Sequence, residues 1–157
     1  MRNVLVTGGA GFIGCNFVRF LLATEPWVRI VTLDALTYAG SLDNLADIQD
    51  PTRHTFIRGD ICDQDLVVAT LRDHGIDTVV NFAAETHVDR SIAEGAPFLR
   101  TNVLGAFSLL EAARKVWLEE GMMINLPNRL FRGRGRSEPV DEIRSEDDPG
   151  SPFKLEP

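Results

Sequence analysis

"VLVTGGAGFIG", residues 4–14, decides the fold. A short β-rich run ends in Gly8, Gly11 and Gly14, and apolar residues resume at once with Phe12 and Ile13. Three glycines at G-x-x-G-x-x-G spacing, between a strand and a helix, divide the work of a phosphate-binding turn. The first permits the tight turn, the second lets backbone approach a pyrophosphate, and the third allows close packing of helix on strand. The free N–H groups at the helix start, with the helix dipole behind them, then face an anion. A glycine-rich run can also be no more than a tight turn, so its surroundings matter.

Working outward, Asn3–Thr7 reads as strand one. Phe12, Ile13, Phe17, Phe20 and Leu21 fall at helical spacing up to Ala23, and Pro26 closes that helix. Val28–Leu33 reads as strand two and ends at Asp34, an acid placed where a carboxylate takes the ribose hydroxyls of a dinucleotide. A carboxylate there repels a 2′-phosphate, so Asp34 favours NAD over NADP; the plainer alternative is a turn residue at a strand end. A polar stretch follows to Arg53, with Leu42, Leu45 and Ile48 suggesting one short helix. Thr55–Arg58 is strand three, stopped by Gly59-Asp60. At its end Asp60 can accept from an adenine amino group while Ile61 packs on the ring, or Asp60 can cap the next helix. Leu66, Val67, Thr70 and Leu71 mark that helix, which ends near Gly75. Thr78–Ala84 is strand four. From Pro97 to about Glu119, Leu104, Phe107, Leu110 and Ala113 share one helical face. Met122–Leu126 is a candidate fifth strand cut short by Pro127. Strands alternating with helices predict βαβ units and a parallel sheet covered on both faces. The expected class is α/β: a Rossmann-type doubly wound sheet, incomplete at four to five strands.

The 157 residues suit one domain, and a compact chain of this size buries roughly 68–70% of its unfolded surface. Residues 1–120 carry the expected NAD-binding domain. Residues 121–157, rich in Arg, acids, Gly and Pro, read as a divergent linker or disordered tail. There is no internal repeat. The net charge of -7 argues against a nucleic-acid partner. "RLFRGRGR" (129–136) permits an RNA-binding tract, which the acids around it oppose. No apolar run approaches the ~20 residues of a membrane span, and the N-terminus does not look like a signal peptide. Cys15 and Cys62 show no metal spacing and read as small packed residues, consistent with a reducing, cytoplasmic setting. No metal site is expected.

"TGGAGFIG", "DALTYAGSLDNL", "GDICD", "NFAAETHVDRSI" and "FLRTNVLGAFSLLEAAR" follow one another in the order and spacing of the extended short-chain dehydrogenase/reductases. Over residues 1 to about 120 the chain resembles that family, and within it the dTDP-glucose 4,6-dehydratases. The resemblance implies NAD as cofactor and a map of its contacts. Phe12 and Ile13 would line the pyrophosphate turn. Asp34, Ala35, Leu36 and Thr37 would hold the adenosine ribose, and Asp60 and Ile61 the adenine. Phe82, Ala83, Ala84, Glu85 and Thr86 would run under the cofactor towards the nicotinamide, with Thr101 touching it from the next helix. Thr86 and His87 would meet a nucleotide sugar, dTDP-glucose or similar, and the wall would continue to Ser91. On the residues alone, His87 is equally a polar turn residue, and Asp89 and Arg90 read as a local pair or cap. Tyr38 belongs to the cofactor loop, and His54 and His74 read as surface residues flanking strands.

The resemblance also implies a reaction: oxidation at C4 of the sugar, elimination of water across C5 and C6, and return of the hydride to C6. It implies the groups that move the protons, Tyr-x-x-x-Lys and Thr-Asp-Glu, and this sequence has neither. After Ile124 it reads "NLPNRLFRGRGRSEPV"; in a loose alignment Phe153 stands where the tyrosine would be and Pro157 where the lysine would be. The expectation is therefore no catalytic residue and an inactive or nearly inactive chain, as in a truncated or frame-shifted product. Alternatives are a non-catalytic NAD- or partner-binding module, or another nucleotide-sugar epimerase or dehydratase of the same family. Strand four left as a sheet edge would invite self-association or marginal stability.

Overall fold

A computed structural model describes residues 1–48, 50–87 and 94–121. The chain divides into two units, Met1–Asn125 and Leu126–Pro157, and the described residues all belong to the first. The candidate fifth strand, "RLFRGRGR", and the Asp89, Arg90 and Ser91 expectations lie outside the described residues.

Four strands form one sheet: β1 (Asn3–Thr7), β2 (Arg29–Asp34), β3 (His54–Arg58) and β4 (Thr78–Asn81). Their order is β3-β2-β1-β4 and every pair is parallel. β1 and β2 are thus interior, and β1 is in register with β2 as Leu5 opposite Val31 and with β4 as Leu5 opposite Val79. Alternation along the strands sends side chains to two cores. Leu5, Val31 and Leu33 face one; Val4, Val6 and Ile30 face the other.

Helix α1 (Phe12–Thr24) covers the Val4–Val6 face with Val18 and Leu21. Helix α2 (Gln64–Asp73) covers the opposite face with Val67, Val68 and Leu71, each such side chain contributing about 1.5–3 kcal/mol when fully buried. Asp63, not Asp60, caps α2: its carboxylate accepts from the Leu66 N–H at 3.1 Å. After His74 the chain leaves the helix through Gly75 at φ 55°.

Residues 95–119 form one continuous helical rod beside α2. It runs through α3 (Gly95–Phe98), a π-helical stretch Leu99–Gly105, α4 (Ala106–Ala113) and a second π-helical stretch Arg114–Glu119; the junction residues all keep right-handed helical dihedrals. Its core side is Leu109, Ala112 and Val116. Leu104, Phe107 and Leu110, the face marked by periodicity, point outward with Leu99, Val103 and Leu118; Phe107 is 60% exposed and Leu110 70%. Apolar residues fall on both the buried and the outward side of the rod, so periodicity does not choose its buried side.

Two further expectations change. β4 stops at Asn81, three residues short of Ala84, because the Asn81 side-chain oxygen accepts from both the Thr7 hydroxyl and the Ala83 N–H and turns the chain out of the sheet. His54 is a half-buried residue of β3, not a surface flank: its Nε2 lies 3.0 Å from the Thr32 hydroxyl, and burial lowers its pKa. β3 and β4 are partly exposed along their length, whereas β1 and β2 are buried almost throughout.

Candidate cofactor site

All four strands point their carboxyl ends at one cavity of about 420 Å³. After β1 the chain crosses to β2 and β3 on one side, then returns to β4 on the other. Loops diverging from adjacent strands in this way leave a crevice outside the strand ends, where open α/β sheets bind ligands.

The glycine turn forms the floor. Gly8 takes φ +66°, and a Cβ there would stand 2.5 Å from the Ala83 nitrogen. A Cβ on Gly14 would stand 2.3 Å from the Gly8 carbonyl oxygen, so helix α1 closes onto the turn only with glycine at that place. Gly11 is the N-cap of α1, contributes no side-chain acceptor and lines the cavity. The first-turn N–H groups of Phe12 and Ile13 therefore have neither an intrahelical nor a side-chain cap partner, which suits an anion.

Asp34 joins the floor to one wall. Its carboxylate is 8% exposed and accepts from the Ala10 N–H (2.9 Å) and the Leu36 N–H (2.8 Å). Leu36 sits at φ 54°, a left-handed conformation that this bond supports. The Ala10 carbonyl in turn accepts from the Ser41 N–H (3.2 Å) and the Asn44 side-chain amide (2.7 Å), which folds the loop after β2 back over the glycine turn. The 3₁₀ turn Leu42–Leu45 is held to α1 by Arg19, whose guanidinium meets both Asp47 oxygens at 2.7 and 2.8 Å and the Asn44 carbonyl at 2.6 Å. That side-chain bond lowers the pKa of Asp47. Ala35, Thr37, Ala39 and Gly40 complete this wall.

Beyond β3, Gly59, Asp60 and Ile61 line the far end. Asp60 accepts from the Cys62 N–H at 2.9 Å and pairs with Arg100 at 2.9 Å. Burial, then the Asp60 carboxylate, raises the pKa of the Cys62 thiol, so it stays a donor; it points at the Arg100 carbonyl, 3.3 Å away. Phe82, Ala83, Ala84 and Glu85 form the opposite wall. Phe82 stacks edge-on against Phe17 of α1, with ring centroids 5.2 Å apart, and Asn102 holds Glu85 by its backbone through bonds of 2.8 and 2.9 Å. Thr101 lines the cavity from the rod, with Ala96, Pro97 and Arg100.

Of the residues singled out in the sequence, Gly8, Gly11, Asp34, Ala35, Thr37, Asp60, Ile61, Phe82–Glu85 and Thr101 line the cavity. Phe12, Ile13, Gly14, Leu36, Thr86 and His87 are not among its lining residues. Phe12 and Ile13 turn their side chains to the outside, Gly14 supports the turn from beneath, and Leu36 packs against the Ala10–Cys15–Leu45 cluster. Thr86 and His87 are exposed; the His87 ring meets the Tyr38 ring edge-on at 6.2 Å. Arg100, Gly40, Gly59 and the Ala96-Pro97 pair join the lining unannounced. Gly40 and Gly59 carry a turn signal in sequence, whereas nothing local marks Arg100.

A family model described as GDP-mannose 4,6 dehydratase matches residues 5–126. A dTDP-glucose 4,6-dehydratase of Xanthomonas campestris pv. campestris is 54% identical over 117 residues, which are 74% of this chain and 33% of that protein. The structure of DesIV, a dTDP-glucose 4,6-dehydratase from Streptomyces venezuelae with NAD and TYD bound, superposes with a TM-score of 0.66 at 52% identity, covering 71% of this chain and 35% of DesIV. A UDP-glucose 4-epimerase from Brucella ovis in complex with NAD gives a TM-score of 0.63 at 35% identity, covering 72% and 32%. The chain thus spans about a third of the length of these relatives. With the parallel sheet, the glycine turn and this match over residues 5–126, the chain belongs to the GDP-mannose 4,6 dehydratase family of extended short-chain dehydrogenase/reductases.

Proposed function

We propose that this chain is the NAD-binding portion of a dTDP-glucose 4,6-dehydratase-like protein and that, alone, it does not catalyse the reaction. The observation that carries the reading is the cavity at the strand ends, floored by Gly8 and Gly11 and walled by the buried Asp34 carboxylate. The fit is chemical as well as spatial. Two Asp34 lone pairs are used by backbone N–H groups, and the remaining ones accept from ribose hydroxyls. The first-turn N–H groups of α1 take the pyrophosphate, and Ile61 packs on the adenine. Phe82–Thr86 and Thr101 flank the nicotinamide, and Thr86 and His87 adjoin the sugar. Bound NAD would supply the acceptor for a hydride from C4 of a nucleotide sugar, to be returned at C6.

This chain contributes binding and orientation but no group to take the C4 hydroxyl proton, since Tyr-x-x-x-Lys and Thr-Asp-Glu are absent from its sequence. Loss of a general base alone costs roughly 10²–10⁴-fold. Calorimetry tests the binding half: NAD should bind and NADP bind at least about tenfold more weakly, whereas no NAD binding up to about a millimolar would end the reading. Incubation with dTDP-glucose and NAD should yield no 4-keto product; turnover would refute inactivity. The same lack of proton-transfer groups makes a non-catalytic NAD- or partner-binding module the second reading, and the epimerase likeness keeps a different nucleotide sugar open as the ligand. The outward Val103, Phe107 and Leu110 support self-association, now through the rod as well as the β4 edge. Among the described residues no helix is long and apolar enough to cross a membrane. A cytoplasmic setting without nucleic-acid partners fits the two free cysteines and the net charge of -7.

A further inference from the structure

We propose that Arg100 is a positioning residue that sets the purine preference of the cavity, by holding the Asp60 carboxylate as an acceptor facing the 6-amino group of adenine. The proposal rests on the dinucleotide reading above and adds a residue that neither the motif nor the family match singles out. Arg100 is the one cation among the described residues that line the cavity, where Asp34, Asp60 and Glu85 are the acids. Its guanidinium reaches from the rod to the loop after β3 and takes Asp60 Oδ2 at 2.9 Å, while the Cys62 N–H takes Oδ1 at 2.9 Å. One partner on each oxygen fixes the rotation of the carboxylate about its own axis. The main chain of the same residue is tied to the same loop, because the Cys62 thiol donates to the Arg100 carbonyl at 3.3 Å. Arg100 is therefore held at both ends.

A carboxylate accepts and does not donate. Oriented in this way, the free lone pairs of Asp60 welcome the amino group at C6 of adenine and repel the carbonyl oxygen at C6 of hypoxanthine. Without Arg100, a single N–H remains on Oδ1, and the carboxylate can turn away from an unfavourable oxygen. The pair is too exposed to matter much for the fold: the Arg100 side chain is 61% accessible, and exposed ion pairs contribute little to stability. Orientation and stability therefore separate experimentally.

The test is calorimetry of the full chain with NAD and with nicotinamide hypoxanthine dinucleotide. The wild-type chain should prefer NAD by roughly tenfold, the scale of one hydrogen bond made or refused. R100Q should bring that ratio below about threefold with little change in melting temperature, and R100K should keep most of it. D60N should abolish the preference, and adding R100Q to D60N should change the ratio no further. If R100Q weakens both dinucleotides equally and leaves the ratio intact, Arg100 has no positioning role. If the wild-type chain binds neither dinucleotide, the cofactor reading fails and this inference falls with it.

Discussion

The two walls of the cavity are built in different ways. The wall after β2 is knitted by a chain of bonds, buried or part-buried at its centre and exposed at its outer end: Asp34 to Ala10 and Leu36, Ala10 to Ser41 and Asn44, and, outermost, Arg19 to Asp47. The wall after β4 has no regular structure from Phe82 to His87 and hangs on three anchors: the Asn81 side chain, the Phe17–Phe82 contact and the Asn102 clamp on Glu85. Most of its bonds are to exposed groups. One half of the site is thus cross-tied by largely buried or part-buried bonds that span 24 to 34 residues, and the other hangs on exposed ones.

The hardest blow to this contrast is Gly8→Val. A side chain there meets backbone at 2.5 Å from the far wall and must also adopt φ +66°. The expected loss is about 3 kcal/mol or more in urea unfolding; a loss under about 1 kcal/mol would show that the two walls do not lean on each other at this point. Next comes Asp34→Ala, which leaves the Ala10 and Leu36 N–H groups without their acceptor. At about 1–3 kcal/mol for the buried Ala10 donor and less for the part-buried Leu36 one, a total near 2–4 kcal/mol is expected, with NAD affinity falling as well. Asn81→Ala removes the corresponding anchor of the other wall and should cost less, about 1–2 kcal/mol: water can serve the exposed Ala83 N–H, while the buried Thr7 hydroxyl loses its acceptor. Equal costs for the two substitutions would erase the contrast.

Much of the first wall could be read from sequence because its main determinants each carry a signal of their own, although the bonds that join them span 24 to 34 residues. The glycines, the helix after them and the acid at the end of β2 are local signals, and each holds its place in the fold. The second wall was legible only in part. Strand four was expected to run to Ala84, but a polar side chain, Asn81, captures the Ala83 N–H, and strand propensity does not register such a bond. The rod's outward face resembled a core face because leucine occupies both sides. Arg100 could not be found, since it carries no local signal and only the folded chain joins it to Asp60.

The smallest expected effect concerns pH and the flank behind the first wall. Burial lowers the pKa of His54, so the folded chain resists its protonation. The unfolded chain then binds more protons below the usual histidine value, and stability should be full above about pH 6.5 and decline as the pH falls towards the lowered value. Asp47, Asp50, Glu111 and Glu120 have lowered pKa values, so their contributions are lost only at more acid pH. Urea midpoints measured between pH 7.5 and 5.5 should slope gently downward in the wild type and run flat in His54→Gln. A slope unchanged by the substitution would assign the effect elsewhere.

The strand order β3-β2-β1-β4 also bears on how the chain acquires its structure. β1 is made before the other three described strands and, like β2, has strand neighbours on both sides. All its partners are parallel, so none can reach it through a hairpin, and each must come back across a helix. Pairings between such distant segments close slowly. During synthesis the apolar Val4–Val6 segment emerges before its partners. One side of it waits for β2, and the other stays open until Thr78–Asn81 has been made. That interval, set by topology alone, is when this chain is most open to capture by a chaperone or by another nascent strand.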